Sequence, residues 1–330
     1  MLVSSIVLIF IITPLLAIGQ VLLRIYMNGG VCYCRGRLDG RTVIVTGANT
    51  GIGKITARLL ASRGARIILA CRNVEAGHKA VDWIRQIGCP GANTAQLVVK
   101  KLDLADMDSV RKFAQYIIDT EERLDILINN AGVMRCPKSQ TKQGYETHYA
   151  VNHLGHFLLT YLLLPVLERS ASKEKPSRVI NVSSLGHKSG LIDFDDLNCD
   201  RAYTPRQAYC NSKLMNILFT RELALRCRDR AVVAYSLHPG VACTELGRHM
   251  QKDFSMLYWI FVVVPLALLL FKSPWYAAQT SIHLALKPHE GLNSGDYFSD
   301  CKPKRCAPAA YNDDVAGRLW EVSKIACGLR

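Results

Sequence analysis

The sequence predicts an α/β fold: a single Rossmann-type doubly wound parallel sheet with helices on both faces, preceded by an N-terminal transmembrane anchor. Three observations predict it. From Asp39 onward short β-branched runs alternate with helical ones, a glycine-rich turn follows the first of those runs, and the chain opens on an uncharged apolar stretch. At 330 residues and 49% apolar content, the chain can bury a large core and does not have the composition of a disordered protein.

Residues 1–23, "MLVSSIVLIFIITPLLAIGQVLL", carry no charge, and Arg24 ends the run. As a helix it is long enough to cross about 30 Å of hydrocarbon, and a kink at Pro14 is tolerable there. A cleaved signal peptide has a basic segment before its apolar core and small residues at its cleavage site, whereas here Arg24, Arg35 and Arg37 follow the run. The expected organisation is therefore an anchor at 1–23, a linker at 24–38 and a single domain at 39–330. The positive flank places that domain in the cytosol. A signal peptide of a secreted protein is the alternative.

Within the domain, "RTVIVTG" (41–47) reads as a buried strand, followed by a helix from about Ile52 to Arg63. "ARIILAC" is the second strand and "VEAGHKAVDWIRQI" its helix; "AQLVVKKLDL" and "LDILINNAG" are the third and fourth strands, separated by the helical "MDSVRKFAQYIIDTEE". A long helix covers "YETHYAVNHLGHFLLTYLLLPVL". Then come a strand at "SRVINVSS", a helix holding "YCNSK", a strand at "AVVAYSLHPG", and a packing helix in "PWYAAQTSIHLALKP". The apolar segment 254–271, interrupted by Pro265, is a borderline membrane span. It reads equally as a lid dipping into a bilayer surface or as a core helix.

The net charge of +14 points to anionic partners: nucleic acid, an acidic membrane surface, or a phosphorylated small molecule. The basic residues are scattered, with no zinc-finger spacing and no long lysine or arginine block, so nucleic acid is not expected. Twelve cysteines spread through a chain of this length fit reduced thiols. Cys32 and Cys34 form C-x-C, but no second pair follows at ligand spacing, and no metal site is expected. His148, His153 and His156 lie on or near one helix and read as packing and hydrogen-bonding residues.

The turn after the first strand is "TGANTGIG", Thr46 to Gly53. Gly47, Gly51 and Gly53 give a tight turn, close backbone approach to a phosphate and a helix N-terminus that favours anions. The spacing is G-x-x-x-G-x-G, not the common dinucleotide G-x-G-x-x-G. The second strand ends on Arg72 with no acid beside it, a pattern suited to the 2′-phosphate of NADPH rather than to a free ribose hydroxyl; a solvated surface arginine is the other reading. Tyr209 and Lys213 share a helix face at i and i+4. A fixed ammonium near a phenol favours phenolate.

These motifs together resemble the short-chain dehydrogenases/reductases. "TGANTGIG", "LDL" at 102–104, "NNAG" at 129–132, "YCNSK" and "HPG" at 238–240 occur in that family's order, and "INNAGVM", "VNHLGHFLLT" and "VSSLGH" are similar to its microsomal retinol dehydrogenase branch. The resemblance implies NADP(H) as cofactor, bound by Gly47, Asn49, Thr50, Gly51, Ile52, Gly53 and Arg72, with Asp103 and Leu104 at the adenine. Asn130, Ala131 and Gly132 would line it, with Pro239, Gly240 and Thr244 near the nicotinamide or pyrophosphate. Tyr209 would be the general acid or base, and Lys213 would lower its pKa and hold the nicotinamide ribose. Ser184 would hydrogen-bond the substrate oxygen, with Ser183 as the fallback, and Asn152 would support a water leading to Lys213. The interval between Ser184 and Tyr209 is longer than in much of the family and is filled by a loop.

The implied activity interconverts retinal and retinol, or similar long apolar aldehydes and alcohols, with reduction favoured, at a membrane facing the cytosol and in the endoplasmic reticulum. Membrane lipid is the expected partner beside the substrate, and assembly into a homo-oligomer stays open. A steroid or lipid-aldehyde oxidoreductase with the same site is the alternative, and a membrane-tethered binding protein without turnover is the remaining reading.

Overall fold

In the computed structural model the described residues are 15, 17–87, 96–242 and 271–329. They open with helix α1 at 17–28, followed by β1 (Thr42–Thr46), α2 (Gly51–Ala61), β2 (Arg66–Cys71), α3 (Val74–Gln86), β3 (Leu97–Lys101), α4 (Met107–Thr120) and β4 (Ile126–Asn129). After β4 come a π-helical turn at Tyr149–Leu154, α5 (Gly155–Ser170), β5 (Ser177–Val182), α6 (Pro205–Arg226) and β6 (Val232–His238). The chain closes with α7 (Pro274–Leu286), β7 (Tyr297–Ser299), β8 (Lys302–Pro303) and α8 (Asp313–Ala326).

The strands form one sheet in the order β3-β2-β1-β4-β5-β6-β7-β8. All neighbours pair parallel except β8, which runs antiparallel to β7 at the edge. Every residue of β1 and of β4 is buried, which explains their unbroken apolar runs: a parallel strand covered on both faces has no polar side to show. One face is covered by α4, α5, α6 and α8, whose Phe113, Phe157, Leu218 and Trp320 share a core with Ile44 and Leu127. The other carries α2, α3 and α7, where Leu60, Ile84 and Ile282 pack with Val45 and Ile128. The order reverses between β1 and β4, and a crevice opens there at the carboxyl ends of the strands.

The expected N-terminal span is corrected by this structure. Among the described residues, one helix has the length and apolarity to cross a membrane, and it is Tyr149–Ser170, with 78% of its apolar window buried inside the domain. Its hydropathy reflects a core position between the sheet and α8. Most of 1–23 lies outside the described residues; the described stretch at 17–28 has a helical length of about 18 Å, short of the roughly 30 Å of a hydrocarbon core. The segment 254–270, including both readings given to it, also lies outside the described residues, as does Thr244.

Candidate active site

Three segments meet at the crevice. Gly47 and Gly51 adopt φ of +65° and +54°, the left-handed region that favours glycine. At Gly53 a β-carbon would collide with the Gly47 carbonyl oxygen and with Asn130 Nδ2. The turn is thus closed so tightly that only glycine fits, and α2 starts behind it with no side-chain cap from Thr50. An uncapped helix N-terminus behind a glycine turn is a cradle for phosphate oxygens.

Thr46, which opens the turn, holds the second segment in place. Its Oγ1 accepts from the backbone N–H groups of Asn130 and Ala131, both at 2.9 Å, and lies 3.0 Å from His156 Nε2; its carbonyl accepts from Asn130 Nδ2 at 2.8 Å. The sequence marked the glycines, and Thr46 carried no role there, although its place at the head of the motif was the available signal. Replacing it with Val keeps the volume and strands two amide donors. Thr46→Val is expected to destabilise the fold by about 1–3 kcal/mol and to weaken cofactor binding, as checked by thermal unfolding and by titration with NADPH.

Gly47, Asn49, Thr50, Gly51, Ile52, Gly53, Arg72, Asp103, Leu104, Asn130, Ala131 and Gly132 all line one cleft of about 360 Å³. Arg72 stands exposed at the end of β2. Asp103 is fixed by an Asx turn in which Oδ1 accepts from Ala105 N at 3.0 Å, while its own N–H donates to Ser109 Oγ at 3.0 Å. Ala70, Asn73, Leu102 and Val151 join this lining; Leu102 and Val151 stand inside recognised motifs but carried no role there, and Ala70 and Asn73 lie in no motif.

The third segment is α6, capped by Thr204, whose side chain accepts from Gln207 N, with Pro205 in its first turn. It is buried on nearly all sides, which explains why Lys213 is only 4% exposed. Lys213 Nζ donates to Val182 O at 3.0 Å and lies 5.8 Å from the Tyr209 ring centroid. Burial pulls the ammonium down to about 8 and pushes the Tyr209 phenol up to about 12, against the hydrogen bond from Ser184. In the free protein desolvation is the largest influence on the Tyr209 phenol, and Lys213 Nζ is directed at the Val182 carbonyl.

Ser183 and Ser184 separate cleanly. Ser183 Oγ donates to Lys213 O at 2.6 Å, locking β5 to α6, while Ser184 caps a 3₁₀ turn at Leu185–Ser189 and faces Tyr209. Asn152 sits in the π-helical turn with both ends of its amide engaged: Oδ1 accepts from Val133 N at 2.8 Å, and Nδ2 donates to Val133 O at 3.0 Å and to Ser212 Oγ at 2.9 Å. A β-carbon on Gly132 would stand 3.2 Å from Asn152 Oδ1 and 3.6 Å from Lys213 Nζ, so Gly132, Asn152 and Lys213 adjoin. Pro239 and Gly240 follow β6; Gly240 has φ +90° and is pressed against the Lys272 side chain, whose Nζ pairs with Asp300 at 2.5 Å.

The histidines each have partners: His148 Nδ1 with Glu146 at 2.7 Å, His153 Nε2 with Ser323 at 2.8 Å, and His156 with Thr46 and the Asn152 carbonyl. Burial drops His153 and His156 to about 3, so both are neutral.

Comparison with known proteins gives the same picture. A family model described as short chain dehydrogenase matches residues 41–254. The chain is 49% identical to human "Retinol dehydrogenase 12" over 310 residues, covering 93% of each, and 50% identical to human "Retinol dehydrogenase 13", covering 96% of this chain and 95% of that protein. Among solved structures, an uncharacterized protein from Mycobacterium Paratuberculosis is 32% identical with a TM-score of 0.71, covering 92% of this chain and 98% of the other. The Pseudomonas aeruginosa RhlG/NADP active-site complex is 26% identical with a TM-score of 0.62, covering 79% and 95%.

Proposed function

Because the chain belongs to the short-chain dehydrogenase family and to its retinol-dehydrogenase-like branch, we propose that it reduces retinal, or a similar long apolar aldehyde, with NADPH. It is an NADP-dependent oxidoreductase acting between an alcohol and an aldehyde. The observation that supports the finer reading is the convergence of Tyr209, Ser184 and Lys213 next to Gly132, which lines the cleft that also holds the glycine cradle and Arg72.

Bound NADPH supplies the hydride. Tyr209, a phenol that is protonated at neutral pH, donates its proton to the carbonyl oxygen as general acid. Ser184 donates a second hydrogen bond to that oxygen, where negative charge develops. Lys213 keeps N–H directions free beyond its bond to Val182 for ribose hydroxyls. Asn152 holds Val133, and through it the strand-end segment that forms the floor. Arg72 would meet the 2′-phosphate, Asp103 and Leu104 the adenine, and Pro239, Gly240 and Thr244 the nicotinamide end. The excess positive charge suits an anionic membrane surface, where lipophilic substrates partition, and the cytosolic face of the endoplasmic reticulum is the proposed place.

The test is turnover of all-trans-retinal with NADPH and with NADH, by the wild type and by Arg72→Glu. The wild type should favour NADPH, and the variant should lose about 10–100-fold of that preference, the worth of one charge-assisted contact. An unchanged preference would remove Arg72 from the cofactor site. Turnover confined to steroids or medium-chain aldehydes would keep the chemistry and discard the retinoid.

A further inference from the structure

On the side of the sheet occupied by α2 and α7, well separated in sequence from every residue assigned above, the fold assembles a cluster that the linear spacing did not reveal. Cys32 and Cys34 are alternate residues of an irregular segment leading into β1. His283 comes from α7, and a thiol or imidazole ligand atom of each lies within 4.8 Å of the others. Cys34 Sγ is 3.8 Å from His283 Nδ1. Two such ligands of one tetrahedral zinc ion, with Zn–S about 2.3 Å and Zn–N about 2.0–2.1 Å, stand about 3.6 Å apart, so little movement separates this arrangement from a coordinating one.

Three further observations bear on the same place. His283 is 9% exposed; its Nδ1 faces the Cys34 thiol, while its Nε2 is buried without a hydrogen-bond partner. The Cys32 backbone N–H donates at 3.2 Å to Gln279 Oε1, one helical turn before His283, so the segment is already docked on the right face of α7. Cys301 lies alongside, with its Sγ 3.7 Å from the Gly30 carbonyl oxygen.

We propose that Cys32, Cys34 and His283 form a binding site for a soft divalent cation of the zinc class, with Cys301 or water completing the coordination. Two thiolates and a neutral imidazole select zinc over calcium or magnesium, which take oxygen ligands. On binding, the two thiol protons leave to solvent and no redox change occurs. The ion clamps the segment before β1 to α7, and α7 packs on α2, the helix behind the glycine turn. Its role is structural and it takes no part in hydride transfer.

The test uses the reduced, metal-stripped full chain prepared without a polyhistidine tag and titrated with cobalt(II). About one equivalent should bind with tetrahedral visible bands and a thiolate-to-cobalt charge-transfer band, be displaced by zinc, and raise the unfolding temperature. Cys34→Ser and His283→Gln should each lose the charge-transfer band and the thermal shift while still binding NADPH as the wild type does; Cys306→Ser should retain both. Absence of the band in the wild type or its persistence in His283→Gln would overturn the proposal.

Discussion

Tyr209→Phe should lower kcat for aldehyde reduction by about 10³-fold, within the 10²–10⁴ that a positioned proton donor contributes, with NADPH affinity unchanged. The substitution removes one oxygen from a ring whose remaining surface stays buried in α6, with its edge toward His148 at a centroid distance of 6.4 Å. Its hydroxyl has Ser184 as partner, and Ser184 keeps its bond from Gly186 N. The fold should therefore survive and the loss should be chemical. Single-turnover measurements with bound NADPH would separate the two: a variant that binds cofactor normally and transfers hydride at the wild-type rate would show that Tyr209 does not supply the proton.

Lys213→Met should cost comparable activity and yet make the protein more stable at neutral pH. Burial lowers the Lys213 pKa from 10.5 to about 8. The unfolded chain therefore holds more protons than the native one between pH 8 and 10.5, and stability rises with pH across that window. Below pH 8 the folded protein bears the full penalty of a buried ammonium, about 3 kcal/mol at 1.36 kcal/mol for each pKa unit. Methionine fills a similar volume without the charge, and Val182 O retains a donor from Asn216 Nδ2 at 3.2 Å. Urea unfolding at pH 7 should show the variant more stable by about 1–3 kcal/mol, with the gap closing toward pH 10. A destabilised variant at pH 7 would mean that the ammonium is a structural contact rather than a strained catalytic one.

Sequence patterning revealed most of this architecture, and the places where it failed share a cause. The parallel strands were legible because strands buried on both faces read as unbroken apolar runs, and the glycine turn because positive φ leaves few other choices. β7 and β8 carried no such signal: "YFS" and "KP" are too short for a period, and they exist because β6 offers an open edge. The apolar helix at 149–170 shows the limit of hydropathy, since a helix enclosed by protein and one enclosed by lipid have the same composition. In the crevice, motif residues were recognisable by type, but Thr46 and Ser183 act through contacts between distant segments. The same holds for His283, which meets Cys34 across 249 positions.

The π-helical turn at Tyr149–Leu154 has one more consequence. Such a turn carries an extra residue relative to an α-turn, and side chains in an α-helix advance about 100° per residue. The two ends of the long helix are therefore out of phase by roughly that angle, and one helical wheel cannot describe both. Within the turn Tyr149 meets Tyr145 and His153; after it Phe157 faces Trp320 and His156 reaches Thr46. Asn152 lies at the joint, and this lets one side chain grip the Val133 backbone at both its N–H and its carbonyl. Any alignment that gains or loses a single residue between 149 and 154 would keep the same letters in order and send them to different walls of the crevice.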